Sequence, residues 1–259
     1  MIDTVRCEAR DGASTGARYR GSSGRALIFV HGVGSTAAIW DSQLAEFGDA
    51  YRCAAVELRG NGAVPDPDPA LITRAGYATD VLTVADKLGI ERFTLVGCSL
   101  GGVVAFDLWQ RVPERFESVV IVGSFAFYPD GQRSADGISA SVREAGDMPT
   151  FARIRAEKLG LPPERFRETV EQMACKSVPS YLAATQATWT GDYRGVLPTI
   201  DVPALVVHGE RDVVAPLPLS EEIAAAIPDA RLASVPGAGH VVNADNPPAF
   251  NKLLREFLR

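Results

Sequence analysis

Residues 96–102, VGCSLGG, place a serine between two glycines where an apolar run ends. The run is typical of a buried strand and the segment after it of a helix, so Ser99 is expected on a sharp turn between them. Such a turn strains the serine backbone, and a side chain at Gly97 or Gly101 would strike the adjacent strand or helix. Because the turn exposes the hydroxyl, Ser99 is a candidate nucleophile.

This segment also allows a phosphate-binding loop or a plain glycine-rich turn. A dinucleotide-binding loop would have glycine at position 99, and a P-loop would continue with Gly-Lys-Ser or Gly-Lys-Thr; neither pattern is present. The segment alone leaves the plain turn open. The other groups that a nucleophilic serine needs must therefore be found elsewhere in the chain.

A serine hydroxyl needs a general base at neutral pH, and the chain has only 3 histidines. His208 lies inside an apolar run and is expected to be buried. His31 ends a predicted strand, where we expect it to hold a turn by hydrogen bonds. His240 lies in a loop after the last predicted strand, at the sheet edge where ligand chemistry collects. We therefore predict that His240 is the base.

The base needs a carboxylate that orients its ring. Asp212 follows the strand that contains His208, lies at the same predicted edge as Ser99, and precedes His240. The order Ser, Asp, His is one in which such triads occur. Glu210 is the nearest competitor. Asp245 is expected instead to hold its own loop or to cap the last helix.

Acyl transfer also needs N–H donors for the oxyanion that develops on the substrate. We expect one donor at Leu100, where a helix begins next to the serine. The other is expected in the turn HGVG at 31–34, and we assign it to Val33. Cys98 is expected to pack beneath the serine turn as a buried structural thiol.

The order of the predicted elements explains how distant residues would meet. Buried-strand patterns occur at 25–30, 53–58, 92–97, 118–123, 203–209 and 230–235. Helical patterns occur at 37–47, 73–88, from the serine turn to 111, at 217–226 and at 247–258. This alternation predicts a parallel sheet, with an antiparallel hairpin at 4–9 and 16–20 before it.

The strand pattern is interrupted between residues 124 and 196. Short amphipathic helices separated by glycine and proline are predicted there instead. We therefore predict a core of residues 1–123 and 197–259, with a helical cap of residues 124–196 inserted after the sixth strand. The cap is expected to cover the site with apolar side chains, which include Phe125, Phe127, Tyr128, Met148, Phe151, Met173 and Trp189.

Composition narrows the possible functions further. The chain has 259 residues, 46% of them hydrophobic, and a formal net charge of -6, which disfavours a nucleic-acid binder. It has no apolar run long enough for a membrane span and no apolar signal core at its start, so we expect a cytoplasmic protein. The 4 cysteines are widely spaced, and neither a metal nor a cofactor is expected. Homo-oligomerisation is left open.

These motifs together resemble the serine-nucleophile branch of the alpha/beta hydrolase family. The matching segments are HGVGS at 31–35, LRGNG at 58–62, GCSLGG at 97–102, VPALVVHGERDVVAP at 202–216 and PGAGH at 236–240. The resemblance implies a mostly parallel eight-stranded sheet flanked by helices, with Ser99, Asp212 and His240 as the triad. Haloalkane dehalogenases and epoxide hydrolases of this fold have aspartate where Ser99 stands. One departure is Asn61, where relatives often have histidine, and we expect it to brace its turn.

Within the family, the chain length and the end of the cap resemble 3-oxoadipate enol-lactonases and related small lactonases and esterases. That resemblance implies hydrolysis of a carboxylic ester or lactone, which can be an enol-lactone. Carbon–carbon bond hydrolysis of a β-diketone or dienoic substrate, thioester cleavage, and a non-catalytic ligand-binding protein are the alternatives. The enol-lactone substrates of these relatives carry carboxylates, so a basic pocket residue is expected. The sequence does not choose among the basic residues of the cap, which include Arg133, Arg143, Arg153 and Arg155.

Overall fold

The computed structural model describes residues 1–159, 161 and 163–259, and it describes Glu164 without its side chain. The strands are β1 (Asp3–Glu8), β2 (Ser14–Arg20), β3 (Ala26–Val30), β4 (Arg52–Glu57), β5 (Phe93–Cys98), β6 (Phe116–Val122), β7 (Ala204–Gly209) and β8 (Ala230–Val235). They form one sheet in the order β1-β2-β4-β3-β5-β6-β7-β8. β2 is antiparallel to β1 and to β4, whereas the other neighbouring strands are parallel.

Helices cover both faces of this sheet. Those among the described residues are α1 (Asp41–Phe47), α2 (Arg74–Lys87), α3 (Leu100–Trp109), α4 (Gly131–Ala145), α5 (Met148–Lys158), α6 (Pro163–Ala174), α7 (Val178–Trp189), α8 (Leu217–Ala226), α9 (Val242–Asp245) and α10 (Pro247–Phe257). None of the helices in the described part of the chain combines the length and the apolar content needed to cross a membrane.

The apolar strand residues alternate between two cores. In β3, Leu27 and Phe29 share one apolar cluster with residues of α1 and α10, whereas Ile28 and Val30 share another with residues of α2, α3 and α8. Every residue of β3 is buried, because helices exclude water from both faces of a parallel sheet. The carboxyl ends of β3, β5, β6 and β7 therefore meet at one edge of a rigid, dry scaffold.

The segment between the adjacent strands β6 and β7 forms α4 to α7. These helices contribute a third apolar cluster, which consists of Val142, Met148, Phe151, Ala152, Met173 and Tyr181. The two ends of the segment meet in an isolated bridge between Phe127 and Asp192. The segment 124–196 is thus mainly helical and follows the sixth strand, with residues 160 and 162 outside the described residues. That it acts as a separate cap stays a prediction.

The predicted fold class is confirmed, and the structure refines the bounds of the elements. Each strand lies within two residues of its predicted position, including the hairpin β1–β2. The predicted helix at 37–47 is instead a 3-10 turn, Ala37–Trp40, followed by α1, because the Trp40 backbone (φ −101°, ψ 4°) departs from helical geometry. The helix at the carboxyl end is preceded by the short α9, and Asn246 caps α10.

Close packing of α3 against β3 leaves no room for a side chain at Gly101. A Cβ atom added there would lie 2.2 Å from the carbonyl oxygen of Val30. We expect Gly101→Ala to lower the free energy of unfolding by about 1–3 kcal/mol, because overpacking displaces the helix. The exposed Gly137 of α4 is a matched control, since an added Cβ there meets nothing within 4 Å. Gly137→Ala should raise the free energy of unfolding, by about 0.5–1 kcal/mol. Urea titration of both variants tests this.

Candidate active site

Ser99 lies at the turn between β5 and α3 with a left-handed backbone conformation (φ 54°, ψ −115°). This conformation costs a non-glycine residue on the order of 1–3 kcal/mol, so neighbouring contacts must hold it. The Ser99 N–H donates to the carbonyl oxygen of Val122 at 2.9 Å. The Ser124 hydroxyl donates to the Ser99 carbonyl oxygen at 2.7 Å. Both contacts come from the end of the neighbouring β6.

The glycines that flank the turn permit its close approaches. A Cβ atom at Gly97 would lie 2.3 Å from the carbonyl oxygen of Gly101, on the helix side. Gly101 in turn contacts β3, as described above. The prediction that side chains at these two positions would strike the helix and the strand is confirmed.

Ser99, His240 and Asp212 form a continuous hydrogen-bonded row. The distance from His240 Nε2 to Ser99 Oγ is 2.9 Å. The distances from His240 Nδ1 to Asp212 Oδ2 and Oδ1 are 2.9 and 3.0 Å. A proton on Nδ1 donated to the carboxylate leaves Nε2 free to accept the serine proton. The structure thus brings Ser99 together with Asp212 and His240, which follow it by more than a hundred positions in the sequence.

The Asp212 carboxylate is buried and charged. Its side chain is 0% exposed, and its Oδ1 accepts the N–H groups of Val214 at 2.8 Å and Ala215 at 2.9 Å. Burial acts to raise the pKa of Asp212, but the His240 ring and these two N–H groups outweigh it, so the pKa lies below its ordinary value. The carboxylate is therefore ionised at neutral pH and orients the imidazole.

The competing carboxylates make other contacts. Glu210 accepts the Gly237 N–H at 2.9 Å. Asp245 accepts the Gly239 N–H at 3.0 Å and so holds the loop before His240, as predicted. The alternative expectation, that Asp245 caps the last helix, is wrong, because Asn246 occupies that position.

The turn after β3 approaches the serine closely. A Cβ atom at Gly32 would lie 3.1 Å from Ser99 Cβ. The buried His31 holds this turn: its Nδ1 donates to the Gly32 carbonyl oxygen at 2.8 Å, and its Nε2 accepts the Leu58 N–H at 3.2 Å. The expected structural part of His31 is confirmed.

Val33 and Leu100 lie on either side of the serine, in this turn and at the first position of α3. Their backbone N–H groups have no hydrogen-bond acceptor among the described residues. The first N–H groups of a helix lack partners within the helix and readily bind a negative charge. Both N–H groups are thus available to a ligand.

Two further predictions concern residues that support these turns. Cys98 is 1% exposed and belongs to the apolar cluster beneath the sheet edge, and burial raises the pKa of its thiol. Asn61 donates from Nδ2 to the carbonyl oxygens of Leu58 at 3.1 Å and Arg59 at 2.9 Å. The buried thiol and the bracing asparagine are both confirmed.

A cavity of about 110 Å³ lies over Ser99 and His240, and Val33 lines it too. It adjoins a more open chamber of about 530 Å³ between α4 and α5. We call these the inner and outer chambers. Both are lined by Ile138, Arg155, Leu159, Trp189, Val213 and Val214.

Of the four cap arginines named from sequence, Arg155 is the one that lines the chambers. It lines both chambers, whereas Arg133, Arg143 and Arg153 line neither. No carboxylate of the described side chains lies within 4.0 Å of the Arg155 guanidinium. Its charge therefore faces the boundary of the chambers without an ion-pair partner there.

Sequence reasoning missed three polar residues close to the site: Arg165, Gln172 and Lys176. A signal in the sequence could have found them. Arg165 and Gln172 are seven residues apart, with Glu168 between them, and Lys176 follows Gln172 by four residues. Polar residues at this spacing share one face of a helix. Arg165 and Gln172 line the inner chamber.

As for metals, the described residues contain no group of three His, Cys, Asp or Glu side chains placed to hold one.

Comparison with known proteins identifies the family of this chain. A model of the alpha/beta hydrolase family matches residues 27–253. The chain is 30% identical to 3-oxoadipate enol-lactonase 2 of Acinetobacter baylyi, over 97% of this chain and 95% of that protein. The chain belongs to the alpha/beta hydrolase family.

Solved structures of other proteins are also similar to this alpha/beta hydrolase. A hydrolase from Pseudomonas aeruginosa superposes with a TM-score of 0.89 at 30% identity, covering 99% of this chain and 98% of that one. The enol-lactonase from Burkholderia xenovorans superposes with a TM-score of 0.88 at 25% identity, covering 98% and 99%. The resemblance to enol-lactonases inferred from the sequence motifs is confirmed.

The two carboxylates that follow β7 give a matched test of the site. Asp212→Asn should lower kcat by about 10⁴-fold, because the amide no longer holds the imidazole tautomer that accepts the serine proton. Glu210→Gln, which alters a carboxylate outside the row, should leave kcat within about twofold. Initial rates on a short-chain p-nitrophenyl ester measure both. Equal losses in the two variants would contradict the assignment.

Proposed function

We propose that this hydrolase cleaves a carboxylic ester or lactone through an acyl-enzyme formed on Ser99. The observation that carries the proposal is the hydrogen-bonded row from the Ser99 hydroxyl through His240 to Asp212. A serine with an imidazole nitrogen 2.9 Å from its hydroxyl has a base in place to accept its proton as it attacks a carbonyl carbon. Asp212 then stabilises the imidazolium that forms.

The N–H groups of Val33 and Leu100 bind the oxyanion of the tetrahedral intermediate. Support comes from their position on either side of the serine and from their lack of other acceptors among the described residues. Donors fixed in advance around a developing charge contribute several kcal/mol to catalysis, on the order of 3–4 per group. The intermediate collapses when protonated His240 gives its proton to the leaving oxygen.

Deacylation repeats these steps with water as the nucleophile. His240 accepts a proton from the water molecule as its oxygen attacks the acyl carbon, and the Ser99 oxygen then leaves with that proton. For a lactone the leaving oxygen stays attached to the acyl chain, so the product is a single hydroxy acid or its keto form. No redox step or additional group is required.

The segment 124–196 acts as the cap in this proposal. Met173 and Trp189 line the inner chamber, whereas Tyr128 and Phe151 line the outer one. The reacting carbonyl occupies the inner chamber, where apolar side chains exclude water and strengthen each electrostatic contact. The rest of the substrate extends into the outer chamber past Arg155.

A serine-directed fluorophosphonate tests the nucleophile directly. The wild-type protein should be labelled and Ser99→Ala should not, with a fall in kcat on the order of 10⁴ to 10⁶-fold. Cys98→Ala is the matched control, because it removes the neighbouring nucleophilic atom, and it should keep both labelling and most of the activity. Near-normal turnover by Ser99→Ala on its best substrate would disprove the mechanism.

The position of Arg155 supports the proposal that the substrate has a carboxylate remote from the reacting carbonyl. The enol-lactonases among the relatives make a lactone the first class to examine. Arg155→Met should lower kcat/KM for an anionic lactone or enol-lactone by about 10–100-fold, through loss of a hydrogen bond to a charged group. It should leave a neutral ester of similar size within about twofold.

Arg153→Met serves as the control, because Arg153 is exposed on the same helix and lines neither chamber. The measurement is kcat/KM over a panel of anionic and neutral lactones, short acyl esters and a β-diketone. Equal effects on neutral and anionic substrates would disprove the part assigned to Arg155 and leave the acyl-enzyme intact. Fastest cleavage of the β-diketone would overturn the ester and lactone assignment.

A further inference from the structure

Four polar side chains on one face of α6 and just beyond it join two loops of the site. They are Arg165, Glu168, Gln172 and Lys176, and we call them the α6 polar row. Gln172 Nε2 donates to Glu168 Oε1 at 3.2 Å, and Arg165 donates to the other oxygen of Glu168. The row is thus connected directly from Arg165 to Gln172.

One end of the row holds the turn after β3. Lys176 Nζ donates to the Ser35 carbonyl oxygen at 3.1 Å, and the Ser35 hydroxyl donates to Gln172 Oε1 at 3.0 Å. Met173 packs against Gly34, where an added Cβ would lie 2.8 Å from the Met173 methyl carbon. These contacts fix the turn that carries the Val33 N–H.

The other end of the row forms an ion pair with the loop that carries the base. Arg165 Nε lies 3.6 Å from Asp245 Oδ1, and the other oxygen of Asp245 accepts the Gly239 N–H at 3.0 Å. Gly239 immediately precedes His240. We call the turn after β3, which carries the Val33 N–H, the oxyanion turn. Polar contacts therefore connect the oxyanion turn through α6 to the loop that carries the base.

Burying the charged side chains of the row costs free energy, which argues against a purely stabilising role. The side chains of Arg165 and Asp245 are only 12% and 13% exposed, and burial raises the pKa of Asp245 even though Arg165 acts to lower it. Lys176 is 8% exposed, and burial lowers its pKa to about 8 despite the opposing effect of Glu57. Buried ions are often less stabilising than apolar side chains of similar volume.

We propose that the α6 polar row positions the oxyanion turn and the His240 loop relative to each other, so that α6 sets the catalytic geometry. Its members are positioning residues that act through Val33 and His240. The inference rests on the proposed function. Displacement of either loop by about 1 Å weakens steps that need both the base and the oxyanion donors, by up to about 100-fold.

Arg165→Met tests the end of the α6 polar row that contacts the His240 loop. We expect kcat to fall about 10–100-fold with KM changed less than about threefold, because the loop moves while the chamber stays open. Arg165→Lys should recover part of kcat by restoring a cation opposite Asp245. Arg167→Met is the matched control, an exposed arginine on the same helix, and should behave like the wild type.

Lys176→Met tests the end of the α6 polar row that contacts the oxyanion turn. This variant should also lower kcat rather than raise KM. Gln172→Leu probes the same contact with Ser35 if Lys176→Met does not fold. Because one row holds both loops, the double variant Arg165→Met/Lys176→Met should lose less than the product of the two single effects. Thermal unfolding of each variant separates loss of fold from loss of kcat.

Three results would overturn the inference. A raised KM with unchanged kcat in Arg165→Met would make Arg165 a substrate contact. Wild-type kcat in both Arg165→Met and Lys176→Met would show that the loops hold their positions unaided. Failure of Arg165→Lys to recover any kcat would show that the cation is not what matters. Fluorophosphonate labelling of the wild type keeps these outcomes distinct from failure of the acyl-enzyme proposal itself.

Discussion

The left-handed backbone of Ser99 is the constraint on which the site depends. A serine does not hold this conformation unaided, so hydrogen bonds from β6 and the absence of side chains at Gly97 and Gly101 must enforce it. The same close packing brings α3 against β3 and aligns the first helical N–H groups beside the hydroxyl. Strain at one residue is thus supported by hydrogen bonds and close packing from the buried centre of the sheet.

A second constraint is the edge at which parallel strands end together. β3, β5 and β7 each end at this edge, and the turns after them carry Val33, Ser99 and Asp212. His240 approaches from the loop after β8, whose position depends on close contact with β7. A Cβ atom at Gly209 would lie 2.0 Å from the Gly239 carbonyl oxygen, so the two backbones approach each other closely there. Backbone geometry therefore brings these segments to one edge of the sheet, where side-chain contacts position the turns in detail.

These backbone constraints explain which features could be predicted from sequence. Wholly apolar runs marked the buried strands, and the small residues around Ser99 marked the turn, because each pattern has a local steric cause. The position of Asp212 followed from strand order. The 3-10 turn before α1 could not be predicted, since its residues suit either helix type. The sequence allows two roles for Asp245, and they are distinguished by its contact with Gly239 and by the cap that Asn246 provides.

The helical segment was the hardest to interpret for a physical reason. Its arginines look alike in sequence, and only the arrangement of α4 to α7 separates Arg155, at the boundary of two chambers, from arginines that face solvent. The contacts of Arg165, Gln172 and Lys176 connect loops far apart in the chain. An amphipathic pattern specifies which face of a helix is polar, but it carries no information about the loops which that face meets.

The bridge between Phe127 and Asp192 has a consequence for how such an enzyme can diversify. The segment leaves the sheet after β6 and returns to β7, its hydrogen-bonded neighbour, and its two ends are paired where they leave. Closing a loop whose ends are already adjacent costs little more when the loop is longer, about 0.6 kcal/mol for each doubling of its length. Insertions, deletions or wholesale replacement of the helices between these two points leave the strand register unchanged. Substrate preference can therefore evolve in this segment while the strands that carry the reacting groups stay fixed, and the α6 polar row limits which replacements keep the catalytic geometry.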